Sequence, residues 1–395
     1  MKKRFGTATL LIACLASFAA AILLSNYMLI SKYGGMDIFP YATKFASVFA
    51  AIQDNYIGEA DMEKASDAAY SAMVAAVEDR WSYYMTAQEY LDYQEYQQNH
   101  YQGIGITIKA DEADGYPRIV SVTEGSPAQR AGILAGDLLM KVEDADLSGL
   151  DAAQIKPIIR EREEGEFNIT VNSGGVEKTL KISVETIFLN PVTYELFDDG
   201  IGYVKISNFE GESGERTVAA VDDLIAQGAA AIVFDVRDNP GGLLSELITA
   251  LDHLLPEGAI FKSIDKQGNE TVKTSDAACV DIPMAVLINE NTYSAAEFFP
   301  AALSEYGKAI TVGTHTTGKS RSQINITLSD GSAVHLSTNS YLTPKGVDLT
   351  EAGGLTPDVE IGIDEELMPY LESGTLEHDK DAQLMAAISE LKKQQ

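Results

Sequence analysis

Ala229-Ala230-Ala231-Ile232-Val233-Phe234-Asp235-Val236, followed at once by Arg237-Asp238-Asn239-Pro240-Gly241-Gly242, is the stretch on which the fold turns. Its apolar run is rich in β-branched residues and too short for a buried helix, so it reads as a strand covered on both faces. The Asn-Pro-Gly-Gly sequence that ends it is turn chemistry. Leu247, Ile248, Leu251 and Leu254 then recur at three- and four-residue steps, which predicts a helix. The same plan returns downstream: an apolar strand from Pro283 to Asn289, a turn from Glu290 to Tyr293, and helical spacing from Ala295 to Leu303. A further strand follows from Ala309 to Gly313. Strands alternating with helices predict an α/β layered domain around a largely parallel sheet.

Working outward, residues from about Tyr101 to Ile187 are punctuated by glycines and read as β-rich. Phe167-Asn168-Ile169-Thr170-Val171 alternates as a half-buried strand, with Ser173-Gly174-Gly175 as its hairpin turn. From Phe39 to Asn99 the pattern is helical, with Phe45, Val48, Phe49 and Ile52, then Ala69, Met73, Val74 and Val77, on three- and four-residue steps. Leu384, Met385, Ile388 and Leu391 mark an amphipathic C-terminal helix. At 395 residues the chain exceeds one domain, and more than one core is expected.

Between Arg4 and Lys32 lie 27 uncharged, mostly apolar residues, which as a helix reach roughly 40 Å and can span a bilayer. Lys2, Lys3 and Arg4 before the run place the N-terminus in the cytoplasm and the body outside. A cleaved signal peptide, ending near Ala19-Ala20-Ala21, and a lipoprotein processing box at Leu11-Ile12-Ala13-Cys14 are the alternatives. The formal net charge is −30, and because Lys2, Lys3 and Arg4 are three of the positives, the rest of the chain sums to −33. Such a body repels nucleic acid and anionic lipid surfaces. Two cysteines, Cys14 and Cys279, exclude a disulfide framework.

Ser294 stands where a buried strand gives way to a helix. A hydroxyl there serves as an N-cap, or as a nucleophile beside helix N–H groups that can hold an oxyanion. A serine nucleophile needs a base. None of His100, His253, His315, His335 and His378 sits in a recognisable histidine-protease motif, and only His315 lies close in sequence to other residues of interest. Lys319, in Thr316-Thr317-Gly318-Lys319-Ser320, is the alternative. It can act only as a neutral amine, which requires burial or a nearby positive charge to bring its pKa from about 10.4 toward 7 or 8.

Ser294-Ala295-Ala296-Glu297, Gly318-Lys319 and Gln323 together resemble the carboxy-terminal processing peptidases, or tail-specific proteases. Phe234 through Gly242 resembles that family's Asp-Leu-Arg-x-Asn-Pro-Gly-Gly turn, and Gly354-Leu355-Thr356-Pro357-Asp358-Val359 its closing segment. Ser126-Pro127-Ala128, Ala131-Gly132-Ile133 and Gly136-Asp137 resemble the middle of its PDZ module, and Asp79-Arg80-Trp81-Ser82-Tyr83-Tyr84 its Asp-Pro-x-Ser-x-Tyr segment. Two departures stand out. Ser320-Arg321-Ser322 replaces smaller residues, with Arg321 bringing a charge near Lys319, and Trp81 replaces a smaller residue in a segment read as structural.

The resemblance implies a crotonase- or Clp-protease-like layered α/β core with an inserted β-rich PDZ domain and a helical N-terminal region. The expected boundaries are 1–35 for an anchor or signal, 36–99 helical, 100–187 PDZ, 188–365 protease core and 366–395 a helical tail. It implies a serine endopeptidase in which Ser294 attacks, Lys319 is the base and Gln323 supports the lysine. The N–H groups of Ala295 and of Gly241 or Gly242 would hold the oxyanion, and Gly103-Ile104-Gly105-Ile106 would take a C-terminal carboxylate. Substrates would be proteins or peptides with exposed C-termini, met outside the cytoplasmic membrane, with no metal or cofactor and a homodimer through terminal helices as a further option. The competing readings are a PDZ-bearing trypsin-like protease, an acyl-thioester enzyme of related fold, and an inactive peptide-binding scaffold.

Overall fold

A computed structural model describes residues 6–32, 35–110, 115–162, 165–372 and 374–394. Lys2, Lys3 and Arg4, and Glu163 and Glu164 of the charged run after Arg160, lie outside the described residues. The chain forms two compact units, Met1–Glu78 and Asp79–Gln395.

The first unit is helical. Thr7–Lys32 is one helix, and its stretch Leu11–Met28 is long and apolar enough to cross a membrane, with none of it buried. Phe39–Asn55 begins with Pro40 in its first turn, where a missing N–H costs nothing. Asp61 caps Met62–Ala75 by accepting the Lys64 N–H, and the Phe45 and Tyr70 rings stack 5.7 Å apart.

The second unit is built on a six-stranded sheet ordered Val192–Leu196, Ile201–Ile206, Ala231–Asp235, Met284–Ile288, Ala309–Gly313 and Val359–Glu360. Only the first pairing is antiparallel. The continuous apolar run is explained by two cores. Ile232 and Phe234 face helices Ser213–Ala226, Leu244–Leu254 and Ala295–Glu305, while Ala231 and Val233 face the C-terminal helix Ala382–Lys392. That last helix buries Leu384, Ile388 and Leu391 against the sheet and leaves Met385 exposed. Its apolar face is therefore occupied within the chain.

A second, five-stranded sheet joins Tyr83–Met85, Arg321–Thr327, Ala333–Leu342, Gly258–Asp265 and Glu270–Ser275. Here the structure departs from the expected helical boundary at 99. Tyr84 and Met85 are buried, and Tyr83 pairs with His335, so residues 79–99 pack with the body.

The β-rich stretch has its own core around Ile119, Leu139, Leu147, Ile155 and Ile169. Its Glu166–Ser173 and Val176–Ser183 strands turn through Gly174-Gly175, both at positive φ, as a tight hairpin requires. His100–Gly103 pairs with Glu185–Phe188, so the module leaves and rejoins the chain at one two-stranded stem.

The turn that ends Ala231–Asp235 is anchored from below. Buried Arg237 pairs with Asp235 at 2.6 Å and with Asp381, the cap of the C-terminal helix, at 2.8 Å, and donates to Gln383 at 2.9 Å. Tyr203 donates to Asp235 at 2.7 Å. The Arg237 guanidinium helps hold the buried Asp235 below the usual carboxylate range despite burial, which alone would raise it. Arg237→Ala leaves two buried carboxylates unpaired and should destabilise this unit by about 3–5 kcal/mol. Urea unfolding followed by the fluorescence of Trp81, the chain's one tryptophan, measures it; a loss under about 1 kcal/mol would show the network to be dispensable.

Candidate active site

Parallel neighbours Ala231–Asp235 and Met284–Ile288 end side by side, so the two turns that follow them meet at the carboxyl edge of the sheet. They are stitched together. Asn289 Nδ2 donates to Asp238 Oδ1 at 2.9 Å and the Asp238 N–H to Asn289 Oδ1 at 2.9 Å. Thr292 Oγ1 donates to the Val236 carbonyl at 2.8 Å, and the Tyr293 N–H to the Asn239 carbonyl at 3.1 Å.

Ser294 sits at φ 61°, ψ −129°, a conformation that costs a non-glycine residue about 1–3 kcal/mol and persists only where its surroundings impose it. Its N–H donates to Glu297 Oε2 at 2.9 Å, and its carbonyl accepts the Glu297 N–H at 2.8 Å. Ser294 and Glu297 stand in a capping-box relation. Gly241, at φ 88°, packs against it: a Cβ there would stand 2.8 Å from Ser294 Cβ and 2.9 Å from the Ala295 nitrogen.

Glu297 is fully buried and ties the Ser294 segment to the lysine loop. Besides Ser294, its carboxylate accepts the Lys319 N–H at 2.7 Å, the Gly318 N–H at 2.7 Å and the Thr316 hydroxyl at 2.5 Å. Ser294, Lys319, Gln323, Gly241 and Gly242 all line one cavity of about 580 Å³.

Within that cavity Lys319 is not hydrogen-bonded to Ser294 or to Gln323. Its Nζ lies 4.5 Å from the centroid of the Trp81 ring and 5.7 Å from that of Tyr293, the two rings being stacked 5.6 Å apart. Burial depresses Lys319 to about 8; the carboxylates of Asp79 and Glu297 oppose the shift and the Arg80 guanidinium assists it. The assisting charge is Arg80, not the exposed Arg321. Gln323 Nε2 instead donates to Ser337 Oγ at 2.9 Å and to the Arg321 carbonyl at 3.0 Å.

Other expectations are relocated. The Gly241 N–H is taken by Asn239 Oδ1 at 2.8 Å, so of the expected backbone donors Gly242 and Ala295 remain. His315 turns its Nδ1 to the Thr316 carbonyl at 3.0 Å and does not line the cavity. His335 does, but burial and then the charge of Lys319 hold it at about 4, with Nδ1 2.7 Å from Asn325 Oδ1. A neutral, tethered imidazole of this kind is a poor base at neutral pH. Gly103, Ile104, Gly105 and Ile106 line a separate cavity of about 370 Å³ between Ile106–Lys109 and Ala152–Arg160. Lys156 and Arg160 of that helix pair with Asp92, and Arg160 also with Glu95.

Sequence reasoning did not single out Trp81 or Glu297 as parts of the site. Trp81 was assigned to structure, yet its face carries Lys319. Glu297 was read only as part of a motif, although its position three residues after Ser294 is the capping-box spacing. Trp81 supplies a direct probe. Its emission should change between about pH 6 and pH 10 as the ammonium over the ring is lost, with a midpoint near about 8, and the step should vanish in Lys319→Met. A flat titration in the unsubstituted chain would contradict the ring–ammonium contact.

Comparison with known proteins fits this geometry. A family model described as peptidase family S41 matches residues 200–361, and one for the PDZ domain matches residues 118–173. The carboxy-terminal processing protease CtpA of Bacillus subtilis is 30% identical over 334 residues, covering 84% of this chain and 71% of that protein. A CtpA-like serine protease of Staphylococcus aureus is 29% identical over 365 residues, covering 91% of this chain and 73% of that one. Among solved structures, an S41 protease from Bacteroides fragilis aligns with a TM-score of 0.55 at 17% identity, over 86% of this chain and 92% of that chain, a likeness of fold.

Proposed function

The chain belongs to the carboxy-terminal processing peptidases of family S41, serine-type peptidases with a PDZ domain, and on that premise we propose that Ser294 is the nucleophile and Lys319 its base. The observation that carries this reading is the Glu297 carboxylate, which accepts the backbone N–H of both residues and so brings two turns to one cavity. With its amine neutral, Lys319 takes the proton from Ser294 Oγ as that oxygen bonds to a peptide carbonyl carbon. The same proton passes to the departing amine when the C–N bond breaks, and water later releases the acyl group from Ser294. The Gly242 and Ala295 N–H groups receive the oxyanion. Gln323, turned toward Ser337, supports the wall of the site instead of the lysine head.

The resting position of Lys319 on Trp81 fits this chemistry. An ammonium is held over an aromatic face by about 0.5–2 kcal/mol, and the neutral amine is not. Losing the proton both makes Lys319 a base and frees it to reach Ser294.

For recognition, the cavity beside Gly103 to Ile106 supports binding of a C-terminal tail as an added strand, with backbone amides toward the carboxylate. The apolar helix through Leu11–Met28, with Lys2, Lys3 and Arg4 before it in the sequence, supports a single-pass anchor with the peptidase outside the cytoplasmic membrane. The inactive-scaffold reading is disfavoured by the depressed Lys319 in the same cavity as Ser294, a costly arrangement without a reaction to serve.

The test is cleavage of an unfolded protein by the 395-residue chain in detergent. Ser294→Ala and Lys319→Arg should each lower the rate at least about a thousandfold with unchanged far-ultraviolet circular dichroism. His315→Ala should keep most of it. Near-normal cleavage by Ser294→Ala, or loss confined to His315→Ala, would replace the Ser–Lys assignment.

A further inference from the structure

The cavity beside Ser294 contains an acidic group that the chemistry above leaves unused. Glu210 follows the strand Ile201–Ile206, is 4% exposed and lines the cavity. Its N–H donates to Asn208 Oδ1 at 2.9 Å and its carbonyl accepts the Ser213 N–H at 3.0 Å, so the backbone is fixed. Phe209, just before it, donates its N–H to the Gly241 carbonyl at 2.7 Å and accepts the Leu243 N–H at 2.6 Å. A Cβ on Gly242 would stand 2.9 Å from the Glu210 nitrogen, as one on Gly241 would stand 2.8 Å from Ser294 Cβ. Ser294 and Glu210 thus flank one two-glycine turn, the turn from which Gly242 would hold the scissile carbonyl.

Glu210 Oε2 is buried and has no hydrogen-bond partner among the described residues. A buried carboxyl oxygen without a donor is costly to keep. Among the described residues no group supplies the donor, and either water or a substrate group that enters the cavity can. Ammonium or guanidinium, amide and hydroxyl are the possible classes. The surroundings suit a cation, since Trp81, Tyr83, Tyr93 and Tyr96 line the cavity with aromatic rings. Burial, then the charge of Glu246, raises the Glu210 carboxyl to about 8, against the pull of Lys319. An arriving cation would reverse that and form a charge-assisted bond. The two resident cations do not bar it. Lys319 reacts as a neutral amine, and Arg80 is exposed.

We propose that Glu210 is a specificity-determining residue that accepts the side chain of a Lys or Arg flanking the scissile bond, an inference that rests on Ser294 being the nucleophile. A formal charge of −30 on the chain draws basic segments of unfolded substrates toward the site in the same sense.

Cleavage sites made in unfolded casein by the 395-residue chain in detergent are mapped by mass spectrometry. Peptides spanning one site are then compared with Lys, Arg, Gln, norleucine or Glu at each flanking position. At one position Lys or Arg should exceed norleucine in kcat/KM by about tenfold or more, with Glu poorest. Glu210→Gln should bring the Lys-to-norleucine ratio close to one, and Glu210→Asp should retain part of the preference. The ratio is taken within one enzyme, so a general loss of folded protein does not alter it. A wild-type ratio near or below one, a ratio unchanged in Glu210→Gln, or Gln preferred to Lys would overturn the assignment while leaving Ser294 as nucleophile. No cleavage of casein by the wild type would remove both readings together.

Discussion

Four donors from two loops converge on the carboxylate of Glu297, and the placing of the site depends on them. Ser294 N–H, Thr316 hydroxyl, Gly318 N–H and Lys319 N–H reach it from segments on either side of a helix and a strand. A buried carboxylate is tolerated only when its oxygens are satisfied, so moving either loop would orphan the carboxylate, the amides or both. That cost holds Ser294 in its positive-φ conformation and keeps Lys319 at the same cavity wall. The Asp238–Asn289 exchange and the Arg237 ion pairs do the same for the Gly241-Gly242 turn, tying it to its neighbour and to the C-terminal helix.

What the lysine then does is set by competition between rings and solvent. Burial lowers Lys319, and the Trp81 ring holds it while charged. Trp81 reaches it because Tyr83–Met85 pairs with residues 333–335, which lays residues 80 and 81 over the lysine loop. The cavity proposed for tail binding lies elsewhere, in the PDZ module. Its groove helix Ala152–Arg160 is clamped by Asp92 and Glu95 of Ala87–Tyr96, the same helix whose Tyr93 and Tyr96 line the catalytic cavity.

The parts legible in the sequence are those with a local signal. Ala229 to Val236 announced a doubly covered strand because both faces are apolar, and Gly241 was legible because no side chain fits against Ser294. The C-terminal helix was legible by its period, but its partner was not; the acceptor for Leu384 and Ile388 is a sheet face whose buried residues run from Ile201 to Val312. Residues 79–99 read as helical company for the N-terminus because a three-residue strand carries too little pattern to show that it pairs with Ala333–Leu342. Glu210 was invisible among 59 acidic residues, since only burial distinguishes it. Gln323 and Lys319 lie four residues apart, and nothing in that spacing reveals that the bulge between Ser322 and Gln323 turns the amide toward Ser337.

The central claim is that a neutral Lys319 activates Ser294, and covalent labelling by a fluorophosphonate tests it without any choice of substrate. The rate of labelling, with the modified residue identified by mass spectrometry of the tryptic peptide, should rise with pH to a midpoint near about 8, since Lys319 must first lose its proton. The label should lie on Ser294, and Lys319→Ala should be unlabelled across the range. A midpoint near about 6.5, as an ordinary histidine would give, or a label on any other residue, would contradict the account.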